Sequence, residues 1–422
     1  MAIGLVAAAS IRSRPLGLAA LWSLWFLAPF IRRLLDLTET TTGPDLLAVA
    51  PFVATGIVGL VEYTRRPVTG RAWVVPAVAV GGFAIGLPQG FGDPNPLAFG
   101  FGTYLLGLTG FFIGYAEELE PDKPLDLERL LLLLVPLVTL YAIYQSLFPL
   151  PAWDDHWLKT VDIAPFGSKE EGNFRTFGTL NAPGALGAVL AVFAALCLAG
   201  RRVTPYVVIV GAIGLAGMAL TYVRSAWLAL VFAMLLTVVL GRGRYIARVL
   251  GLATLVLALI LALGPHSTIG SQVLQRATTL GELGRDTSAQ ARLDTTSKVL
   301  PVAIRAPIGA GLGAVGQARR LSAAPEKFSF PDNGYLAVLY QVGPLGFLMV
   351  VGSLVGVAVW SLTGPLASRW RGARLTALVG LGTLLFLELG ADVLYGVTAP
   401  MAWYFAGVLM RLGEKSREFG GG

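Results

Sequence analysis

A long hydrophilic segment, 265–331, gathers the basic residues that are best suited to bind phosphate. It contains eight basic side chains and four acidic ones, so its formal charge is +4. The basic members are Arg276, Arg285, Arg292, Lys298, Arg305, Arg319, Arg320 and Lys327. Arginine dominates the whole chain, with 26 Arg against 6 Lys, and its planar guanidinium binds phosphate through two parallel hydrogen bonds. The segment therefore indicates a phosphate or pyrophosphate ligand. The alternative explanation for the excess of arginine is a bias in composition, combined with long side chains that reach (snorkel) to the lipid headgroups.

The expected positions of three arginines on helices bear on whether they bind a ligand. They are Arg224, Arg285 and Arg292. Arg224 lies alone in an apolar stretch, 220–227, at the edge of a predicted membrane span. An ionisable residue there is costly and indicates a function, whereas the alternative is an anchor that snorkels to the headgroups. Arg285 and Arg292 are seven residues apart and share one helix face if the helix is continuous. Residues 286–288 (Asp-Thr-Ser) offer N-cap side chains that would instead start a new helix there.

Membrane helices are the elements that must position these residues. Hydrophobic residues make up 55% of the 422 residues, charged residues 14%, and the mean hydropathy is +0.70. A soluble domain carries roughly 25% charged residues, so a soluble enzyme is excluded, as is a disordered chain. The one cysteine, Cys197, excludes a disulfide scaffold.

Because a helix of ~20 apolar residues spans a bilayer, the sequence predicts an all-α polytopic membrane protein of about twelve transmembrane helices. These helices form one transmembrane domain over 1–422. The apolar runs lie at about 16–31, 45–62, 72–87, 97–117, 128–149, 181–200, 203–221, 223–240, 245–264, 333–360, 373–390 and 393–411.

The distribution of Lys and Arg predicts the orientation. With the N-terminus in the cytoplasm, the inner connections hold 18 basic residues and the outer ones 14, of which 8 lie in 265–331. Long loops largely escape the positive-inside rule, so we expect both termini in the cytoplasm. The outer segments 150–180 and 265–331 are too long to be simple turns, and their spaced apolar residues predict ordered structure, partly helical in 265–331. Gly343-Pro344 is expected to kink or tilt the tenth span.

Three groups of motifs, read in order, resemble the O-antigen polymerase and O-antigen ligase superfamily. The first is Arg-Thr-Phe-Gly-Thr-Leu-Asn at 175–181, and the second is Thr-Tyr-Val-Arg-Ser-Ala-Trp at 221–227. The third follows Arg292 in the long outer segment. It consists of Ala-Pro-Ile-Gly-Ala-Gly-Leu-Gly at 306–313, Asp-Asn-Gly-Tyr-Leu at 332–336 and Gly-Pro-Leu-Gly at 343–346. The resemblance covers roughly 170–350, and over the rest of the chain it rests on hydropathy alone.

The resemblance implies a glycosyltransferase-C-like, metal-independent enzyme of the bacterial inner membrane, with its active site on the outer face. Such an enzyme takes a glycan from undecaprenyl pyrophosphate and transfers it to a hydroxyl of another lipid-linked glycan (polymerase) or of lipid A core or another acceptor (ligase). Arg224 and Arg292 would hold the pyrophosphate. Ligases carry a histidine where this chain has Asp332, and neither His156 nor His266 lies at the motif, which favours an inverting polymerase. Further expected substrate contacts are Arg175, Arg276, Arg285, Asn181, Asn333 and Tyr335.

The expected partners follow from this chemistry. They are the lipid bilayer, a lipid-linked donor, a glycan or lipid A core acceptor, and a chain-length regulator; no cofactor and no nucleic acid are expected. A lipid-linked glycan flippase or other transporter is the alternative from a different class. Transporters place polar residues at mid-depth of the bilayer, whereas here the charge is gathered outside.

Carboxylates supply the candidates for proton transfer. Asp332 is the candidate base for the attacking hydroxyl. Nearby arginines would make it a weak base that only orients the hydroxyl, and the alternative is an N-cap for a helix that starts at Asn333. Glu388 and Asp392 are intramembrane carboxylates that indicate a function the sequence leaves open.

Two other patterns are interpreted without a ligand. Asp-Asp-His at 154–156 is the nearest candidate metal site, but adjacent loop residues seldom converge on one ion. Residues 311–316 fit Gly-x-Gly-x-x-Gly but lack the strand and helix of a dinucleotide fold, so we interpret their glycines as a tight turn.

Overall fold

The computed structural model describes ten stretches of the chain, and within them the regular secondary structure is helical, with no strand. The described residues are 1–38, 46–121, 123–160, 166–169, 173–200, 203–241, 243–263, 287–322, 333–364 and 368–420. The predicted all-α class is therefore confirmed.

The helices are named here in chain order. Those before the long outer segment are α1 (Ala2–Arg12), α2 (Arg14–Asp36), α3 (Leu46–Arg65), α4 (Val74–Ile85), α5 (Leu87–Gly90), α6 (Pro94–Leu108), α7 (Gly110–Tyr115), α8 (Asp126–Leu147), α9 (Ala152–Thr160), α10 (Pro183–Ala199), α11 (Pro205–Leu220), α12 (Arg224–Leu240) and α13 (Gly243–Leu263). Those that follow are α14 (Thr287–Arg305), α15 (Gly334–Thr363), α16 (Arg371–Leu387) and α17 (Thr398–Gly420). Short 3-10 turns cover Gly70–Trp73, Ala318–Leu321 and Ser368–Trp370.

Each of the predicted apolar runs coincides with one or two of these helices. In the described part of the chain, five helical stretches are long and apolar enough to cross a membrane: Arg14–Asp36, Leu47–Arg65, Pro94–Tyr115, Asp126–Leu147 and Gly334–Thr363. Other runs form shorter apolar helices, such as α10 and α12 with 17 residues each. The structure therefore supports a polytopic membrane protein with helices of unequal length.

The first compact unit comprises Met1–Val58 and Leu119–Gly281. Its centre is α10, whose small and apolar residues make it hydrophobic on every side, and nearly all of them are buried. Helices α8, α11, α12 and α13 pack against α10, and the N-terminal α1 packs back against α2. Helix α9 packs on α2, so the segment 150–180 contains a packed helix where it is described.

The second compact unit comprises Gly59–Glu118 and Glu282–Gly422. Helix α17 packs on α7, α15 and α16, while α4 and α14 pack on α15. Glycines allow the closest of these crossings, because a Cβ at Gly114 of α7 would strike the Tyr404 carbonyl of α17.

Helix α15 is kinked inside the second unit, as predicted. Gly343 has φ 72° and ψ 176°, a left-handed backbone that would strain any residue with a side chain, and Pro344 follows it. A Cβ at Gly343 would also strike the carbonyl of Pro307. The kink therefore provides the space in which the segment after α14 lies.

Candidate functional site

In the first unit, the irregular segment 173–181 is tied to the turn before α12. Arg175 Nε donates to the carbonyl of Thr221 at 3.2 Å, and these residues are 46 positions apart in the sequence. The backbone N–H of Thr176 donates to the carbonyl of Leu220, also at 3.2 Å. The structure therefore brings together the first and second motifs of the sequence.

Arg224 is the first residue of α12, and its side chain is half-buried. A cation is disfavoured there by the positive end of the helix dipole. The same helix end presents backbone N–H groups that have no partner within the helix. An anion at this point would interact favourably with the arginine, the dipole and the N–H groups together. Arg175 and Arg224 thus border one short turn that is suited to a negatively charged ligand.

Two residues of this region have an unusual backbone conformation. Asn181 has φ 59° and Tyr222 has φ 51°, and within the described ranges they are the non-glycine residues with positive φ. Such a conformation costs about 1–3 kcal/mol and clusters at functional sites, although asparagine tolerates it better than most residues. The strain lies beside both arginine motifs, which supports a functional role for the region.

The same segment carries buried oxygens whose hydrogen bonds are incomplete. Thr176 Oγ1, Thr179 Oγ1 and Asn181 Oδ1 are all buried and have no hydrogen-bond partner among the residues described. Folded proteins pair nearly all buried polar atoms, with ordered water or ligands where protein groups do not reach. Three such atoms within six residues make this segment unusually polar for a buried stretch of the first unit.

A buried ion pair supports this segment from inside the first unit. Arg33 Nη1 lies 3.0 Å from Asp154 Oδ1, and both side chains have 0% exposure. Arg33 Nη2 donates to the Gly178 carbonyl at 2.8 Å. Asp154 Oδ2 accepts hydrogen bonds from the Tyr141 hydroxyl and the Gln145 amide, each at 2.7 Å. The pair therefore fixes the backbone of Gly178 between Arg175 and Asn181.

Gln145 and a set of aromatic rings complete the support. Gln145 Oε1 accepts hydrogen bonds from the N–H of Gly178 at 2.8 Å and of Phe177 at 3.3 Å. The guanidinium carbon of Arg33 lies 4.9 Å from the centroid of the Phe177 ring. It also lies within 6.0 Å of the ring centroids of Phe30, Tyr141 and Trp157. Ring faces attract the guanidinium, so this cation is stabilised without water.

Sequence reasoning missed this network. The sequence suggests Asp154 only as part of a candidate metal site with Asp155 and His156. In the structure, Asp154 and Asp155 have different environments and different partners. Asp154 is buried and paired with Arg33, whereas Asp155 is exposed and pairs with Lys159 at 2.6 Å. Within the described residues, no group of three His, Cys, Asp or Glu side chains is arranged to hold a metal ion. The signal that would have found the network is an arginine at the end of a membrane span, which needs an acidic partner.

In the second unit, Arg292 lies on α14, the described helix of the long outer segment. Val299 and Ala303 of this helix are buried in a cluster with Leu336 of α15. Arg292 is exposed and precedes Val299 by seven residues, so both lie on one face of α14. The predicted helical structure is confirmed here, and Arg292 extends the face through which α14 packs on α15.

The glycine-rich segment after α14 forms turns, as predicted. Its backbone is left-handed at four positions, with φ between 72° and 102° at Gly309, Gly311, Gly313 and Gly316. The N–H of Gly313 donates to Gln341 Oε1 at 2.8 Å, and the N–H of Leu312 donates to the Gly86 carbonyl at 3.2 Å. Since the described residues contain no strand, the dinucleotide interpretation stays rejected.

The start of α15 carries two of the predicted substrate contacts. Asn333 is the N-cap, because its Oδ1 accepts the N–H of Leu336 at 3.1 Å, and the helix begins at Gly334. The alternative in which Asp332 caps a helix starting at Asn333 is therefore wrong by one residue. The Tyr335 hydroxyl donates to the Leu385 carbonyl at 2.6 Å, so only its oxygen lone pairs are left to accept a bond from a substrate.

Three predicted site residues, Asp332, Arg276 and Arg285, lie outside the described residues. Their proposed roles stay predictions, as do the substrate contacts assigned to the described ones.

Residues 207–351 match the family model of the O-antigen ligase domain. The matched stretch includes Arg224, the glycine turns and the start of α15, and it begins after the Arg175 motif. The match confirms the resemblance to the O-antigen polymerase and ligase superfamily. A comparison with curated proteins found no match.

Proposed function

We propose that this relative of the O-antigen polymerases and ligases is a surface-polysaccharide polymerase of the bacterial inner membrane. It transfers a glycan from undecaprenyl pyrophosphate to a hydroxyl of another lipid-linked glycan at the outer face. The coarser assignment, a membrane enzyme of the O-antigen ligase and polymerase type, rests on the match over 207–351. The donor, the acceptor and the polymerase activity are the proposal.

The observation that carries the proposal is the arrangement around the turn before α12. Arg175 and Arg224 border this turn, and three buried oxygens of 176–181 have no partner among the described residues. Guanidinium groups bind the two oxygens of a phosphate side by side. The amide of the half-buried Asn181 suits the hydroxyls of a sugar. A sugar joined to pyrophosphate offers both kinds of group in one molecule.

The reaction that we propose is a single displacement. The acceptor oxygen attacks the anomeric carbon from the face opposite the pyrophosphate, so the configuration inverts. The carbon–oxygen bond to pyrophosphate breaks, its electron pair leaves with the pyrophosphate, and the acceptor hydroxyl loses its proton. Asp332 is the residue that we propose to orient the acceptor hydroxyl or to relay its proton onward as the bond forms.

Fixed arginines stabilise the charge that develops on the leaving group. Arg224 and Arg292 are proposed for this role, together with Arg175. Such preorganised donors act only where charge develops, and the loss of one typically costs ~3–4 kcal/mol in the transition state. For this reason we propose a metal-independent mechanism, with guanidinium groups at the position where other glycosyltransferases use a cation.

A ligase is the alternative that shares this chemistry. It would pass the glycan to lipid A core or another acceptor. The residue that favours a polymerase is Asp332, which stands where ligases carry a histidine. The products separate the two activities, because a polymerase yields a ladder of chain lengths and a ligase yields a single addition.

A flippase for lipid-linked glycans is the alternative from another class. It would move the labelled lipid between leaflets of a liposome without forming a glycosidic bond. We favour transfer because transporters place polar residues at mid-depth of the bilayer, whereas the basic residues of this sequence gather in 265–331.

The purified protein in lipid nanodiscs with a synthetic lipid-pyrophosphate glycan provides the test. The wild type should form a ladder of products. Arg224→Lys keeps the charge but loses the two-point geometry, so it should lower kcat/KM by about 100-fold to 1,000-fold. Arg129→Lys is the matched control, because Arg129 is exposed and pairs only across one helix turn with Asp126. Equal activity of all three proteins would contradict the proposed site.

The proposed placement in the membrane has its own test. We propose that both termini are cytoplasmic and that α14 lies on the outer face of the membrane. We also propose that a chain-length regulator binds the enzyme in the membrane. Single cysteines at position 290 and at the C-terminus, in a Cys197→Ser background, should react oppositely with a membrane-impermeant thiol reagent on intact cells.

A further inference from the structure

An acidic pair lies in the second unit directly after α16, with Glu388 buried and Asp392 half-buried. Glu388 is 1% exposed, and its Oε2 accepts the N–H of Val393 at 2.6 Å. Its other oxygen, Oε1, is buried and has no hydrogen-bond partner among the described residues. The same holds for Oδ1 of Asp392, four residues further along. Each carboxyl group therefore has one oxygen whose bonds are incomplete.

The two carboxyl groups lie close enough to act on each other. The charge of Asp392 interacts directly with Glu388, and the N–H of Leu394 lies against both carboxyl groups. The other titratable groups that face the pair are hydroxyls: Tyr104, Tyr335 and Tyr395. In the described part of the chain, neither acid forms an ion pair with a lysine or arginine. Two neighbouring carboxylates with little access to water disfavour each other's ionisation, which favours a pair that shares one proton.

Main-chain contacts fix this pair against the start of α15. The N–H of Gly334 donates to the Glu388 carbonyl at 2.8 Å. A Cβ at Gly334 would strike the Glu388 carboxylate, so glycine is needed for this approach. The Tyr335 hydroxyl bonds the carbonyl of Leu385 in the turn before Glu388. The acids are thus held beside the residues that directly follow Asp332 in the chain.

A small cavity adjoins the pair. Its volume is about 10 Å³, and its lining includes Tyr335, Glu388 and Val393. The cavity offers no exposed polar surface to hold a water molecule, and it is too small for a sugar or a metal ion beside Glu388.

We propose that Glu388 and Asp392 form the site that receives the proton of the acceptor hydroxyl. This inference rests on the proposed glycosyl transfer and assigns it a residue pair. In the step, the acceptor oxygen bonds to the anomeric carbon, and the pyrophosphate leaves with the electron pair of the broken bond. The hydroxyl proton passes to the pair, which changes from one shared proton to two, and later returns to solvent. Because the pair is buried, it acts through the groups that contact the acceptor, and its members are positioning and proton-holding residues.

The competing explanation is that Glu388 only closes the turn 388–393. For that role the side chain at position 388 needs only an oxygen that accepts a hydrogen bond from the N–H of Val393, and the amide oxygen of a glutamine would supply it. Glu388→Gln therefore separates the two explanations, since it keeps the shape and the acceptor oxygen and removes the proton-binding group.

Kinetics of the full-length protein in nanodiscs test the role. Glu388→Gln and Asp392→Asn should each lower kcat by about 100-fold, the usual contribution of a proton acceptor, and leave KM for the donor unchanged. The wild-type kcat should rise with pH as the doubly protonated pair loses one proton and becomes able to accept another, and Glu388→Gln should abolish that dependence. Glu62→Gln is the control, because Glu62 is equally buried but paired with Arg65 at 2.6 Å. Wild-type kcat and pH profile in both acid variants would overturn the proposal.

An infrared measurement tests the pair without any activity. The wild type at neutral pH should show the carbonyl stretch of a protonated carboxylic acid, and Glu388→Gln and Asp392→Asn should each remove it. A spectrum without that band would overturn the shared proton. A band together with a wild type that transfers no glycan would instead contradict the proposed function, so the two failures are distinguishable.

Discussion

The region around Arg33 and Asp154 and the region around Glu388 and Asp392 are both buried and both charged, yet they are balanced in opposite ways. In the first, an acid and a base meet at 3.0 Å, and four aromatic rings surround the guanidinium. In the second, two acids lie together, each with one oxygen that has no hydrogen-bond partner among the described residues. A buried charge in a membrane protein is costly unless something neutralises it. The first region is neutralised by the protein itself, and the second needs a proton.

This difference assigns different work to the two regions. The balanced pair is structural, and it holds the backbone of Gly178 in the segment that joins Arg175 and Asn181 to the turn before Arg224. The unbalanced pair has a proton to gain or lose, as the proposed transfer requires. Substitutions in the two regions should therefore have different consequences.

Removal of Arg33 should have the largest effect on stability. Arg33→Met leaves Asp154 buried without its cation, which typically costs about 3–5 kcal/mol. Chemical unfolding in detergent micelles measures the change. Arg32→Met is the control, because the neighbouring Arg32 is 41% exposed and pairs with Asp36 at 3.7 Å, a contact worth about 0–1 kcal/mol. If the two variants unfold alike, the Arg33 pair does not support the site.

Gly313→Ala should destabilise the second unit by more than about 1 kcal/mol. Its φ of 83° is unfavourable for alanine, and the new Cβ would strike the Pro96 carbonyl. Gly352→Ala on α15 is the matched control, because its Cβ would meet no atom within 4 Å. Thermal melts of both variants provide the comparison. A Gly313→Ala variant with the wild-type melting temperature would show that the glycine turns do not need their left-handed backbone.

Asn181→Gly should have the smallest effect on stability. Its stability should stay the same or rise slightly, whereas its glycan transfer should fall. Glycine adopts φ 59° without strain, so the variant should be as stable as the wild type or up to about 1 kcal/mol more stable. It also loses the buried Oδ1, so glycan transfer should fall. Parallel unfolding and transfer assays measure both. A variant that gains stability and keeps full activity would remove Asn181 from the site.

The fold was largely predictable from the sequence, because apolar runs in a membrane protein have few alternatives to helix. The kink at Gly343 and the glycine turns were also predictable, since glycine and proline act locally. The Arg33–Asp154 pair was not, because its members are far apart in the chain and only tertiary packing joins them. The N-cap at Asn333 was misplaced by one residue, since Asp332 and Asn333 are both good N-caps and the sequence does not choose between them.

The acidic pair shows a different limit of sequence reasoning. Glu388 and Asp392 were recognised as intramembrane carboxylates, but their partners could not be deduced. If a basic residue packed against Glu388 or Asp392, the two would form an ion pair, and the sequence does not exclude that arrangement. The structure shows hydroxyls and backbone N–H groups around the two carboxyl groups instead.

The central claim is that the arginines beside the turn before α12 bind pyrophosphate. The direct test is the affinity of the nanodisc-embedded protein for undecaprenyl pyrophosphate without a glycan, measured for the wild type, Arg175→Lys, Arg224→Lys and the exposed control Arg129→Lys. We expect at least a tenfold weaker Kd, about 1.4 kcal/mol, for Arg175→Lys and for Arg224→Lys, and the wild-type value for the control. Equal affinity in all four proteins would contradict it.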